Sequence, residues 1–308
     1  IGTFGKTAYE FVDFVAQARH RYWQVLPLGP TTYGDSPYQS YSAFAGNPYF
    51  IDLDTLVEEG VLDKKDCEKV NWGKKPDEVD YEKIYKGRYP LLRKAYENSD
   101  ISKNPDYQKF VAENSWWLSD YALFMALKSH FNNVSWGEWE TDIKFRKPEA
   151  MSRYEEQLSD DIGYWKFIQF EFYLQWNALK QYANSNGIEI IGDIPIYMGY
   201  DSVDVWANQG EFQLDENLTP IKVAGVPPDA FSDAGQKWGN PLYDYDKMEA
   251  NGFSWWRKRM AASAKLYDVI RIDHFIGIVK YYTIPADMPD ARPVSYTHLR
   301  AHETEADL

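Results

Sequence analysis

The alternation of an amphipathic helix with a short β-branched strand constrains the fold of this chain more than any other feature. Apolar residues at helical spacing precede a strand-like run three times, and the runs lie at 22–26, 188–191 and 269–272. A repeated helix-to-strand order is typical of a parallel sheet. Because the runs are nearly continuous in apolar residues, we expect both faces of the sheet to be covered.

Two of these runs end in an aspartate, Asp193 after the second and Asp273 after the third. In a barrel of alternating strands and helices, the chemistry lies at the carboxyl ends of the strands. We therefore predict an α/β protein with part of a (β/α)8 TIM barrel. A doubly wound open sheet is the alternative, but no glycine-rich phosphate loop follows any of the runs.

A charged, lysine- and glutamate-rich stretch at 54–160 interrupts the alternation. We predict that it is a mainly helical inserted subdomain, in which Trp116 and Trp117 are core positions. It separates a first barrel part at 1–53 from a second at 161–292. Residues 293–308 differ in character and resemble translated adapter sequence, so we expect them to be a non-native tail.

Composition excludes several classes of partner. The net charge is −14 and the pI is about 4.9, which argues against nucleic acid. No apolar run approaches the roughly 18 residues of a membrane span, and no signal peptide opens the chain. Cys67 is the single cysteine, so a disulfide framework and a multi-cysteine metal site are excluded. We expect a cytoplasmic protein that has no metal, cofactor or protein partner.

Aromatic residues are unusually frequent at 17%, with 12 Trp and 24 Tyr. Most are expected in the core. Some are candidates for sugar platforms, because the apolar faces of pyranose rings pack on aromatic side chains.

Five segments, in their order and spacing, identify a family. They are QVLPLGP (24–30), YGDSPYQS (33–40), GDIPIY (192–197), AGVPPD (224–229) with GQKWGNPLY (235–243), and RIDHF (271–275). Together they resemble the 4-α-glucanotransferases, also called amylomaltases or disproportionating enzymes, of glycoside hydrolase family 77. The resemblance spans about residues 1–292.

The resemblance implies a retaining transfer of α-1,4-glucan segments, with maltooligosaccharides as substrates. Asp273 matches the nucleophile that forms a covalent glycosyl ester. Arg271 lies two residues earlier on the same face of the strand and favours the ionised carboxylate. Taken alone, the pair is equally consistent with a structural ion pair.

The other matched positions are expected to bind substrate. His274 resembles a ligand of sugar hydroxyls, and a satisfied buried histidine is its alternative. Asp193 is expected to shape the site, and a loop cap is its alternative.

Two loops complete the expected site. The first, at 33–40, resembles the family's donor-subsite loop. The alternative interpretation is a tyrosine-rich surface turn. The second resembles the family's loop over the groove, which stacks a glucose and limits water. The residues concerned are Tyr33, Asp35, Ser36 and Tyr38 in the first loop, and Trp238 and Asn240 in the second.

The sequence also departs from the family pattern. Ile276 stands where the family usually has Arg. Retaining chemistry needs an acid/base carboxylate about 5–5.5 Å from the nucleophile. The family takes that Glu, and a third Asp, from later strands to which no residue here corresponds. We therefore expect a fragment with barrel strands two to four, marginally stable and inactive by itself.

Two further functions stay open at this stage. One is an α-glucan hydrolase of the same clan, whose products are only shorter than the substrate. The other is a glucan-binding protein without catalysis, for which the unmatched acid/base Glu leaves room.

Overall fold

The structure, a computed structural model, describes residues 2–298 except 33, 74, 76, 77 and 231. Within that part of the chain, the helices are α1 (Lys6–Gln17), α2 (Leu53–Glu58), α3 (Lys64–Glu68), α4 (Tyr81–Asn98), α5 (Pro105–His130), α6 (Thr141–Lys144), α7 (Pro148–Gln157), α8 (Ser159–Ser185), α9 (Val203–Ala207), α10 (Tyr245–Ala250) and α11 (Ser254–Leu266). The strands are β1 (Tyr22–Gln24), β2 (Glu189–Pro195), β3 (Lys222–Val226), β4 (Gln236–Pro241), β5 (Val269–Asp273), β6 (Lys280–Pro285) and β7 (Ser295–His298).

The three strand-like runs form one parallel sheet in the order β1-β2-β5. Each strand follows the helix that the apolar spacing predicted, namely α1, α8 and α11 in turn. Gly187, two residues after the last residue of α8, has a φ of 76°. This is the left-handed conformation that commonly ends a helix. The predicted α/β class and the parallel pairing are therefore present in the structure.

A second sheet of antiparallel strands, in the order β4-β3-β6-β7, was not predicted. Its strands lie between and after the repeated units, where the sequence shows loop-like glycine and proline. Strand β7 pairs with β6 although it lies in the predicted tail. That residues 293–308 are non-native stays a prediction, and residues 299–308 lie outside the described part.

The helices between β1 and β2 share one hydrophobic core with the parallel sheet. The longest two, α5 and α8, pack against each other. Trp117 is buried in this core as predicted, but the prediction for Trp116 was wrong, because its side chain is 43% exposed. Adjacent residues on a helix point about 100° apart, so one tryptophan faces the core and the other faces outward.

Two glutamines of α8 fasten the segment that follows β1. Gln169 bonds both the N–H (2.7 Å) and the carbonyl (2.9 Å) of Gly46. Gln175 does the same for Asp52, at 2.6 and 3.3 Å. Residue 46 must be glycine, since a Cβ there would lie 2.1 Å from the Phe172 ring. This attachment holds the chain at Gly46 and Asp52, on the C-terminal side of the tyrosine motif.

None of the helices in the described part is both long and apolar enough to span a bilayer.

Candidate active site

The parallel pairing of β2 with β5 brings two aspartates to one arginine. In the register, Asp193 lies opposite Arg271 and Pro195 lies opposite Asp273. One guanidinium nitrogen of Arg271 donates to Oδ2 of Asp193 at 2.5 Å, and another donates to Oδ1 of Asp273 at 2.8 Å. The arginine is thus a bridge between carboxylates of neighbouring strands.

The two carboxylates differ in their access to solvent. The side chain of Asp193 is 1% exposed, whereas that of Asp273 is 38% exposed. A nucleophile must reach its substrate, so Asp273 has the accessibility that its expected role requires. The attraction of Asp193, with a smaller contribution from Asp273, raises the pKa of Arg271 and keeps it cationic.

Tyr38 joins this group from a distant part of the sequence. Its hydroxyl donates to Oδ2 of Asp193 at 2.8 Å. Partial burial and then the bond to Asp193 raise the pKa of Tyr38, so the phenol stays protonated and remains a donor.

Oδ1 of Asp193 is buried and has no hydrogen-bond partner among the described residues. A buried carboxylate oxygen without a partner is costly, and native proteins rarely keep one without a reason. A sugar hydroxyl is a donor of the kind that this oxygen lacks.

His274 packs with Trp238 and Tyr197 in a cluster of rings, the aromatic wall, next to Asp273 in the chain. Its backbone has a φ of 55°, in the left-handed region that residues other than glycine adopt uncommonly. Its ring centroid lies 5.1 Å from that of Trp238, edge to face, and 6.4 Å from that of Tyr197. Burial lowers the pKa of His274, so the imidazole is mainly neutral near neutral pH.

Trp238 and Asn240 lie in strand β4, so the expectation that they form a loop was wrong. Pairing with β3 extends this segment, and the irregular register between the two strands, together with Gly239 at a φ of 79°, concealed it in the sequence. Asn240 is buried, and its Oδ1 accepts from Nε2 of Gln39 at 3.3 Å. This bond ties β4 to the tyrosine loop.

The remaining residues of the tyrosine loop make local contacts. Asp35 Oδ1 accepts from the Thr31 hydroxyl at 3.4 Å, and Ser36 Oγ accepts from the Tyr38 N–H at 3.4 Å. The loop turns with both Gly34 and Asp35 at positive φ. Tyr33 lies outside the described residues.

Two residues at the site, Tyr197 and Gln39, were not singled out from the sequence. Both lie inside motifs that were recognised. Tyr197 lies just beyond the carboxyl end of β2, the strand that contains Asp193. Its position at a strand end could have identified it as a site residue.

No group of three or more His, Cys, Asp or Glu side chains that could hold a metal ion occurs among the described residues.

Comparison with known proteins gives consistent results. The sequence model of the family described as "4-alpha-glucanotransferase" matches residues 1–308. The 4-alpha-glucanotransferase of Clostridium butyricum is 53% identical over 285 residues, which are 92% of this chain and 58% of that protein. That of Streptococcus pneumoniae is 50% identical over 95% of this chain and 58% of its own length.

The solved structures agree with the sequence matches. An amylomaltase from Streptococcus agalactiae, in complex with acarbose, superposes with a TM-score of 0.93 at 44% identity. The match covers 97% of this chain and 61% of the other. The amylomaltase of Corynebacterium glutamicum, at 19% identity and a TM-score of 0.76, shows the shared fold alone. The chain spans about three-fifths of the length of the Clostridium butyricum, Streptococcus pneumoniae and Streptococcus agalactiae proteins and 41% of the Corynebacterium glutamicum one.

Proposed function

Because this chain belongs to the 4-alpha-glucanotransferase family, we propose that its protein transfers α-1,4-glucan segments to the 4-hydroxyl of an acceptor glucan or glucose. The observation that carries the proposal is the pairing of the accessible Asp273 with Arg271 at the carboxyl end of a parallel strand. Asp193, Tyr38 and the wall of Trp238 and His274 surround that pair.

The proposed reaction is a double displacement. The carboxylate of Asp273 attacks C1 of the donor sugar, the glycosidic C–O bond breaks, and an acid/base carboxyl protonates the leaving oxygen. The acceptor hydroxyl then attacks C1, loses its proton to the same group, and releases Asp273. Arg271 holds the nucleophile in place.

Binding of the glucan is proposed for the residues around the carboxylates. Oδ1 of Asp193 accepts from a sugar hydroxyl, and Trp238 offers a ring face to a glucose unit. Neutral His274 supplies a further polar contact. The tyrosine loop, with Tyr33, Asp35, Ser36 and Tyr38, borders the donor side. The acarbose bound to the Streptococcus agalactiae relative supports a maltooligosaccharide as the ligand.

We also propose that β1, β2 and β5 are three strands of a (β/α)8 barrel. The parallel pairing in chain order and the helix before each strand support this. The helices of 54–160 would then be an insertion between barrel parts at 1–53 and 161–292. The lone Cys67 supports a reducing cytoplasm as the location.

Product analysis of the complete gene product with maltotriose tests the function. A transferase yields longer maltooligosaccharides together with free glucose. Products that are only shorter than the substrate would instead indicate the hydrolase. Acarbose binding without turnover would indicate a glucan-binding protein. The chain of 308 residues, assayed in parallel, is expected to be marginally stable and inactive, and either a sharp cooperative melt or transfer from maltotriose would overturn that expectation.

A further inference from the structure

Arg259 is a fully buried cation behind the strand that carries Asp193. It lies on α11 with 2% of its surface exposed. Its guanidinium donates to the carbonyl of Ile196 at 3.1 Å and to the carbonyl of Pro195. Pro195 and Ile196 follow Asp193 in the chain by two and three positions, respectively. The cation therefore binds the backbone where β2 ends.

Aromatic rings enclose this cation. The Arg259 carbon Cζ lies 5.4 Å from the ring centroid of Trp255 and 5.1 Å from that of Trp256. The hydroxyl of Tyr243 donates to the same Ile196 carbonyl at 2.7 Å. Arg259 of α11 and Tyr243, which lies between β4 and α10, thus converge on one carbonyl oxygen.

Compensation for the buried charge is incomplete. Nε of Arg259 has no hydrogen-bond partner among the described residues. Asp204 attracts the cation, but its own oxygens accept from the Ala43 N–H at 2.7 Å and from the Trp255 indole at 3.2 Å. Transfer of a cation out of water is unfavourable unless its charge is well compensated.

An apolar side chain would fill this space without that cost. The guanidinium instead fixes the orientation of the two carbonyls that it binds, because charge-assisted hydrogen bonds are stronger and geometrically more specific than neutral ones. Packing alone therefore does not account for an arginine here, whereas holding two carbonyls in place does.

The segment that Arg259 holds connects two parts of the site. Asp193, at one end, contacts Tyr38 and Arg271. Tyr197, at the other end, lies 6.4 Å from both Trp238 and His274 between ring centroids. We propose that Arg259 is a positioning residue, which fixes Asp193 and the aromatic wall through the carbonyls that end β2. This inference rests on the proposed function.

The test uses Arg259→Met and Arg259→Lys in the complete gene product, with maltotriose as substrate. Arg257→Met is the matched control, because Arg257 lies on the same helix and is exposed. For Arg259→Met we expect kcat to fall by about tenfold to a hundredfold, as for a misplaced catalytic constellation, with KM changed by less than about threefold. Arg259→Lys should recover part of kcat, and the control should match the parent.

A crystal structure of Arg259→Met supplies a readout that does not depend on turnover. The 2.8 Å bond from Tyr38 to Asp193 is expected to lengthen or break. Parental kcat in a folded Arg259→Met variant, or an unchanged geometry around Asp193, would overturn the proposal. If Arg259→Met does not fold, Arg259→Lys and Tyr243→Phe carry the same test, and parental kcat in both would overturn it. A parent without transfer would refute the proposed function, and the crystal structure would still decide the role of Arg259.

Discussion

Two buried carboxylates, one in the parallel sheet and one in the helical layer, have opposite surroundings. Asp193 on β2 is 1% exposed and accepts from Arg271 and Tyr38. Glu171 on α8 is 3% exposed, and burial, with a smaller effect from Glu59, raises its pKa to about 8. Each has one oxygen without a hydrogen-bond partner among the described residues.

The difference distinguishes a carboxylate that we propose to bind substrate from one that is buried in the helical layer without such a role. At the strand ends a cation and a phenol are directed at the carboxylate, and its remaining oxygen lies among candidate substrate-binding groups. In the helical layer the carboxyl is surrounded by packing and is protonated at neutral pH. Burial alone therefore does not identify a site residue, whereas burial together with convergent donors does.

The largest expected effect on transfer is for Asp273, the proposed nucleophile. Asp273→Asn in the complete gene product should lower transfer by at least about a thousandfold, because an amide cannot form the glycosyl ester. The measurement is the initial rate of glucose release from maltotriose. Asp287→Asn, at an exposed loop position, is the control. Residual transfer above about a thousandth of the parent would refute the assignment.

A smaller loss of transfer is expected when Asp193, the buried carboxylate of the sheet, is substituted. Asp193→Asn removes the negative charge beside Arg271 and leaves that cation with Asp273 as its one charged partner among the described residues of the site, so we expect about a hundredfold lower kcat/KM. The thermal melt of the variant is measured in parallel. If transfer is unchanged, the comparison fails, since Asp193 would then be as structural as Glu171.

Glu171→Gln should act on stability and leave the site intact. The folded-state pKa of about 8 exceeds the ordinary value of 4.5. The contribution of the protonated carboxyl to the free energy of unfolding is therefore fully present below about pH 4.5 and is lost as pH rises through about 8. The neutral amide should raise the free energy of unfolding by roughly 2–4 kcal/mol at pH 7.

Denaturant unfolding of this variant between pH 4 and 9 checks the sign. The advantage over the parent should grow with pH, while Glu156→Gln, at an exposed position on α7, should show no such trend. A variant that is less stable than the parent at pH 8 would show that Glu171 has a favourable role as an anion.

The smallest effect concerns the donor from the tyrosine loop. Tyr38→Phe removes the 2.8 Å bond to Asp193 but keeps the ring. One hydrogen bond to a charged group contributes about 1.5–3 kcal/mol, and because this bond is on a partly exposed side chain we take the lower end and expect transfer to fall by about tenfold. Tyr22→Phe, at an exposed position on β1, is the control. An unaffected rate would place Tyr38 outside the proposed site.

Features with a local cause were predictable from the sequence. The three helix-to-strand units follow from apolar spacing, and the pair of Arg271 with Asp273 follows from the two-residue repeat of a strand. The antiparallel sheet was missed, because β3 and β4 contain glycine and proline and pair irregularly. Their extended conformation depends on partners far along the chain.

The amino-acid sequence by itself determined the α/β class, the parallel strands and the family motifs, because each depends on neighbours within a few residues. Only the tertiary structure decided which groups meet. The register of β2 with β5 brought Asp193 to Arg271, and the hydrogen bond from Tyr38 to Asp193 joined the tyrosine loop to β2. Arg259 reached the end of β2 from another helix. Contacts of this kind depend on burial and on long-range pairing, which no local pattern contains.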